Sequence, residues 1–434
     1  MAAKSVSLSE YWRLTRENRN FRRLWLAQII SEIGDWFYTL AIYSLLLEYT
    51  GKASSVALAL ILQVLPQTFI GPIAGVVNDR ISRRKVMIAA DLCRMAIVAC
   101  MLLVRSAQMV WLVYPLLLLE TVMWSFFEPA RSSVLPNIVH DDDIVVANTL
   151  ASTTWSFNLA IGSTVGGLVA ALLGRNAVFA LNALSFLLSA ALIGSMTFTE
   201  GHTEAHGPLR GHDLFNYRPI VDGIRYMRSD RRLTAMVMAK SGVGLLGVSW
   251  VVFPIMGIRT FQLSSLGIAP ERAALISMSI LMGARGVGAL LGPLLSARWA
   301  GRSQERLRKC IAAGFAIGSI GYLCLSAAPS IWVAALLIIL AHSGTSGVWV
   351  FSTTLLQLNT DDKFRGRVFA AELGLTMLVL ACVSFIAGRV LDAGVSPRTL
   401  VFGAGLAMII PFVWWTAAQR FWRDDQSRAQ NPAS

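Results

Sequence analysis

The feature that most constrains this chain is a succession of apolar runs about as long as a bilayer is thick, joined by very short connections crowded with charge. The stretch from Gly71 to Lys85 (GPIAGVVNDRISRRK) shows the pattern at its sharpest. It closes one apolar run, places Asp79, Arg80, Arg83, Arg84 and Lys85 within seven positions, and gives way at Val86 to the next run. A spanning helix needs about 20 mainly apolar residues, and Lys and Arg gather on the cytoplasmic side of such helices. A connection this short makes the two helices antiparallel neighbours. With 55% hydrophobic and only 15% charged residues, and a mean hydropathy of +0.59, the chain lies outside the range of soluble enzymes and reads as mostly membrane.

The net charge of +13 would otherwise point to nucleic acid. Here, however, the cations cluster at segment ends, which is where the positive-inside rule places them, so a nucleic-acid partner is not expected. Cys93, Cys100, Cys310, Cys324 and Cys382 lie in or beside apolar runs without C-x-x-C spacing, and read as small buried hydrophobes rather than as disulfides or a metal site. The basic stretch from Met1 to Arg23 lacks the apolar core and cleavage site of a signal peptide.

Taken in order, residues 1–20 form a cytoplasmic tail, either a surface helix turning Tyr11, Trp12 and Leu14 toward headgroups or a solvated basic arm. Six spans follow at about 21–49, 55–77, 86–104, 109–127, 146–173 and 176–198. Residues 199–232 break the apolar pattern with Gly, His, Pro and mixed charge and read as a cytoplasmic linker, with a short surface helix near 217–227. Six more spans at about 233–257, 271–296, 309–328, 331–354, 368–391 and 398–418 lead to a tail at 419–434. An even number of spans, with basic residues such as Arg420 at the end, puts both termini in the cytoplasm.

The two halves repeat. Gly71-Pro72 returns as Gly292-Pro293, 221 positions later, and Asn137, followed by acidic residues, has its counterpart in Asn359, 222 positions later. Nearly equal offsets at independent landmarks indicate duplicated six-helix halves, with the substrate site expected at the repeat interface. In the second copy Asp79 and Arg80 correspond to Ala300 and Gly301, so a gate built on that acid belongs mainly to the first half.

Gly75, Asp79, Arg80, Arg83 and Arg84 match the loop between helices two and three of major facilitator superfamily transporters, with Ser82 where that pattern usually has Gly. The run from Phe126 through Glu128-Pro129-Ala130-Arg131 to Leu135-Pro136, then Ala147-Asn148, resembles the connection between helices four and five in the drug-exporter branch that includes macrolide and enterobactin exporters. The resemblance implies an all-α membrane protein with the major facilitator fold, twelve transmembrane helices in two six-helix bundles, in a bacterial cytoplasmic (inner) membrane. It also implies a monomer without cofactor or metal. In such a protein Asp79 faces the start of helix eleven and, with Arg80, Arg83, Arg84 and Glu128, forms a cytoplasmic latch. A pair between Arg83 and Glu128 is geometrically available. A carboxylate at a helix N-terminus is favoured by a fraction of a kcal/mol to about 2 kcal/mol.

Charge inside a bilayer is costly, at about 3 kcal/mol on the lowest scales, so each ionisable residue within a span is a functional candidate. Gln28, Glu32, Asp35 and Thr39 recur at steps of four, three and four, on one face of helix one, which is expected to line the central cavity. Asp35 also resembles an acidic position of the drug-exporter branch and is the leading proton site, with Glu32 one turn away titrating jointly with it. A structural role opposite an arginine is the competing account. Glu120 on helix four faces Arg94 on helix three; Arg285 on helix eight is a counter-charge for Asp35 or Glu32; and His342 on helix ten is either a relay or a hydrogen-bonded helix residue. Arg389 and Asp392 read as a gate pair at the outer end of helix eleven. Trp36, Tyr38, Trp124, Phe126, Phe127, Trp155 and Phe157 offer apolar walls for a moderately amphipathic cargo.

No nucleotide loop, zinc spacing or nucleophile elbow appears, so an enzyme is not expected. The function expected is a proton-coupled exporter of amphipathic small molecules working by alternating access. The alternatives are a siderophore exporter, or a carrier of lysophospholipid or other membrane lipid entering from the side.

Overall fold

The computed structural model describes residues 8–140, 143–200, 218–261, 263, 267, 269–301, 303–420 and 422. Half of the predicted linker, residues 201–217, and the end of the C-terminal tail lie outside them. The regular structure among the described residues is helical: α1 (Leu8–Glu17), α2 (Arg19–Thr50), α3 (Ala53–Arg80), α4 (Arg83–Cys100), α5 (Val113–Ile138), α6 (Ile144–Leu173), α7 (Arg175–Gly194) and α8 (Arg218–Ser229). These are followed by α9 (Arg231–Val243), α10 (Gly247–Arg259), α11 (Pro270–Ala300), α12 (Gln304–Ser326), α13 (Ile331–Asn359), α14 (Asp362–Asp392), α15 (Pro397–Ala407) and α16 (Ile409–Ala418). Among the described residues, 11 helical stretches are long and apolar enough to cross a bilayer. The twelfth span is α2, whose 32 residues give ample length and whose row of polar side chains lowers its hydropathy.

Two compact units emerge. One comprises Met1–Gly51 and Leu62–Asn216, the other Lys52–Ile61 and Tyr217–Ser434. In the first, α2 packs on α6 and α7, and α4 on α5 and α7. Glycines make the first of these contacts possible: a Cβ on Gly162 would lie 2.7 Å from the Trp36 Cβ, and one on Gly166 would lie 2.8 Å from the Phe37 Cα. In lipid no hydrophobic force drives helices together, so such close approach supplies the packing. Near the chain start, Leu14 is buried with Phe21 and Leu24 in a core at the end of the bundle, while Trp12 is 69% exposed. The helix expected there forms, but Leu14 faces protein rather than headgroups.

The second unit packs α13 on α11 and α12, with α15 against α12 and α14 against α10 and α8. Gly288 and Gly292 face α13, where a Cβ would lie 2.5 Å and 1.9 Å from the carbonyl oxygens of Ile339 and Ser343. The span expected as one helix over 233–257 is interrupted. A tighter turn at Gly244–Leu246 separates α9 from α10, and a Cβ on Gly247 would lie 2.4 Å from the Leu380 carbonyl oxygen of α14. The Ser384 hydroxyl donates to the Gly247 carbonyl at 3.0 Å and keeps this irregular backbone satisfied within the membrane.

Among the cysteines, only Cys310 is buried; Cys93, Cys100, Cys324 and Cys382 are exposed on the helical surface, and all five are free thiols. The burial expected for those four fails because a membrane protein's apolar exterior accepts a thiol as readily as its core does.

Candidate functional site

The ion network of the first unit is centred on Arg94 of α4, whose side chain is 2% exposed. Its Nε donates to Glu120 Oε1 of α5 at 2.8 Å and its Nη2 to Asp35 Oδ2 of α2 at 2.7 Å. Asp91, one helical turn before Arg94, approaches Nη1 at 3.8 Å and is fully buried. The guanidinium face stacks on Phe186 at 4.0 Å. Glu120 is 10% exposed and Asp35 28%, so Asp35 is the member of the network most open to its surroundings. The antiparallel run of α4 and α5 brings Arg94 opposite Glu120, as their sequence positions imply. The ion partner of Asp35 comes from its own unit, whereas the sequence pointed to Arg285.

Asp35 and Glu32 share a helix but not a network. Glu32 accepts from Gln28 Nε2 and from Asn158 Nδ2 of α6, each at 2.8 Å. Gln28 in turn accepts from Arg131 Nη1 at 3.1 Å, and Arg131 Nε bonds Glu128 at 2.9 Å. The stripe on α2 therefore divides: Gln28 and Glu32 meet α5 and α6, while Asp35 meets α4. The Thr39 hydroxyl turns back to the Asp35 carbonyl at 2.9 Å and takes no part in either set.

The charged loop between α3 and α4 is built on local bonds. Arg83 lies 3.7 Å from Asp79 and donates to the carbonyls of Ser133, at 2.9 Å, and Asn78, at 3.3 Å. The pair expected between Arg83 and Glu128 does not form: Glu128 is taken by Arg131, three residues on along the same helix. The Arg84 side chain donates to the Gly194 carbonyl, and its backbone N–H to Glu200 at 3.1 Å. Ser82 has a local purpose, since its hydroxyl accepts from the Lys85 N–H at 3.3 Å and caps α4. Gly75 has open space around its α-carbon.

In the second unit the Arg285 guanidinium lies 3.6 Å from the Trp250 ring centre. His342 is buried, hydrogen-bonded through Nε2 to the Tyr322 hydroxyl at 3.1 Å, and edged by Phe253. It stands 222 positions after Glu120, the offset that relates Asn359 to Asn137, so the second half carries an imidazole where the first carries an acid. The gate pair expected at the end of α14 is of another kind. Asp392 accepts from the backbone N–H groups of Ala53 at 2.7 Å and Ser54 at 3.1 Å, capping α3 instead of bridging to Arg389.

Sequence reasoning passed over Asp91, Asn158, Lys240 and Glu372. Lys240 and Glu372 are charges within spans, the same signal that singled out Asp35. Asp91, one turn before Arg94, was legible on the same terms.

Bilayer-length helices in a two-bundle architecture, buried charge within the spans and basic interhelical loops define a major facilitator transporter. Such a protein is a multi-pass carrier of a bacterial inner membrane that works by secondary-active alternating access rather than by catalysis. The chain belongs to the transmembrane secretion effector family, whose model matches residues 14–433. It is 28% identical over 358 residues to macrolide efflux protein A of Streptococcus pyogenes, covering 81% of this chain and 84% of that one. It is 24% identical over 417 residues to an uncharacterized MFS-type transporter of Mycobacterium tuberculosis, covering 92% and 91%. In fold it resembles a bacterial homologue of the human lysosomal transporter Spinster (TM-score 0.70, 13% identity, 93% and 97% covered) and the nucleoside transporter NupG (TM-score 0.71, 11% identity, 92% and 99% covered).

Proposed function

We propose that this chain is a proton-coupled exporter of amphipathic small molecules, with Asp35, Arg94 and Glu120 as its coupling centre. The observation that carries the reading is the charge count around Arg94: one guanidinium faces Asp35, Glu120 and Asp91. Were all three acids ionised, the cluster would hold two more negative than positive charges around a buried guanidinium, with only Asp35 partly open, an arrangement that is costly unless protons or a cation compensate it. The surplus of acids is what gives the site protons to exchange. Asp35, the most open of the three, is the group through which they enter and leave, and Arg94 redistributes its bonds between Asp35 and Glu120 as they do. Glu32, held with Gln28 and Asn158 in a separate network near Arg131, lines the path of cargo. The likeness to macrolide efflux protein A supports export of an amphipathic compound.

In this reading the two six-helix halves, residues 21–198 and 233–418, move against one another around a cytoplasmic linker at 199–232. Both termini are cytoplasmic, the protein acts as a monomer, and Asp79 with Arg83 helps to hold the cytoplasmic side shut.

The test is flux in reconstituted vesicles loaded with a pH-sensitive dye, with an amphipathic dye as cargo. Asp35→Asn keeps the side-chain size but removes the charge change, so cargo binding is retained and uphill export driven by a proton gradient is lost. Proton flux coupled to cargo that survives in Asp35→Asn moves the coupling role elsewhere. Cargo movement that ignores the proton gradient in the unmutated protein defeats the reading and favours a passive carrier of lipid or solute.

A further inference from the structure

The second unit contains a buried ion pair that the coupling centre does not use. Lys240 of α9 is 5% exposed and Glu372 of α14 only 1%. The ammonium donates to Glu372 Oε2 at 2.9 Å and to the Thr353 hydroxyl at 3.0 Å, and sits 4.4 Å from the centre of the Trp349 ring. A carboxylate, a hydroxyl and an indole face around one nitrogen are the donor-accepting and cation-attracting groups that a site for a protonated amine requires. The second carboxylate oxygen, Glu372 Oε1, is buried and has no hydrogen-bond partner. A carboxylate oxygen left bare in a low-dielectric interior is an acceptor in want of a donor. Glu372 therefore has capacity beyond what Lys240 fills. Trp349 and Thr353, which contact the ammonium, are themselves only half-buried.

We infer that Glu372, Trp349 and Thr353 form a binding site for the protonated amine of an amphipathic ligand, and that the Lys240 ammonium is its built-in competitor. The inference builds on the export reading by naming a chemical class of cargo and the place that recognises it. A second ammonium beside a single buried carboxylate would leave a net positive charge, so the two cations compete rather than share. The flexible four-carbon stem of Lys240 lets its head withdraw when a ligand amine takes its place. Recognition of an anion is the weaker account, because Lys240 is the only cation in the set and is already paired. A neutral ligand gains nothing from the bare Oε1 unless it carries a donor.

Three water-soluble probes separate these accounts: phenethylamine, phenethyl alcohol and phenethyltrimethylammonium share one apolar body and differ only in the head. Their binding is measured by equilibrium dialysis against the full-length protein in lipid nanodiscs, with protein-free nanodiscs as background. The unmutated protein prefers the amine to the alcohol, and the trimethylated cation, which cannot donate to Oε1, falls between them. Lys240→Met removes the competitor and raises affinity for phenethylamine by about 10-fold, leaving the alcohol unchanged. Glu372→Gln erases the preference. A folded Glu372→Gln protein that keeps the amine preference overturns the inference, as does a folded Lys240→Met protein with unchanged amine affinity. Should Lys240→Met fail to fold with its acid unpaired, Glu372→Gln decides alone. The two readings fail separately. An amine preference untouched by Glu372→Gln, in a protein whose export still depends on the proton gradient, removes only the amine site. Cargo flux indifferent to the gradient removes only the coupling.

Discussion

Arg94→Met is the perturbation that bears most directly on the charge balance of the first unit. The side chain is 2% exposed and holds Glu120 and Asp35 at 2.8 and 2.7 Å, with Asp91 at 3.8 Å. Methionine fills much of the same volume, so the loss is electrostatic rather than a cavity. Breaking a buried pair by removing one partner costs about 3–5 kcal/mol, because the other charge stays buried without compensation. The three acids do not contribute equally. Asp35 is 28% exposed and keeps part of its solvation, so Glu120, at 10%, and the fully buried Asp91 carry most of the penalty. Glu120→Gln in the Arg94→Met background removes one of those uncompensated charges and should recover about 1–3 kcal/mol, although the same change in the unmutated protein is destabilising. Unfolding in mixed detergent micelles, followed by tryptophan fluorescence, supplies all four corners of this cycle. Effects that add within about 0.5 kcal/mol would show that Arg94 and Glu120 do not act as one unit, and the coupling argument built on them would fall.

Two further outcomes follow from the packing and from the charged loop. Gly292→Val should impair assembly of α11 against α13, because a Cβ there meets the Ser343 carbonyl oxygen at 1.9 Å and only a backbone shift can relieve it; monodisperse protein recovered at the unmutated yield would contradict that contact. If Asp79 belongs to a cytoplasmic latch, Asp79→Asn should leave insertion intact and shift the balance of inward- and outward-facing states, because a contact made in one state only biases that equilibrium when it is removed. Spin labels on the two cytoplasmic bundle ends would read the shift, and unchanged distance distributions would dismiss the latch.

How much of this was legible beforehand divides by physics. Lipid leaves a chain few choices: a backbone that must bond to itself in a span becomes a helix, and cations left in short connections fix where each helix ends. The spans, the duplicated halves and the prominence of Asp35, Glu120 and Arg94 could therefore be read from residue order. Ser82 was visible as a departure from the family pattern, while its capping of α4 needed the geometry of the turn.

Partnership was another matter, because charge does not carry an address. From spacing alone Arg83 was as well placed for Glu128 as for Asp79, and Arg285 as plausible an answer to Asp35 as Arg94. Glu32 and Asp35, one turn apart, looked like a single titrating pair. The rotation of α2 against α4, α5 and α6 separates them into two networks, and the reach of Arg131 along its own helix takes Glu128 from Arg83. The same holds for Lys240 and Glu372, 132 positions apart, which meet because glycines at 242, 244 and 247 let the broken span of α9 and α10 lie close against its neighbours. The sequence alone determined that this chain crosses a membrane many times and which charges it carries into the lipid, since solvation acts on each residue where it stands. Which charges meet was decided by the tertiary structure, since ion pairs depend on angstroms of helix rotation and approach that no single helix encodes.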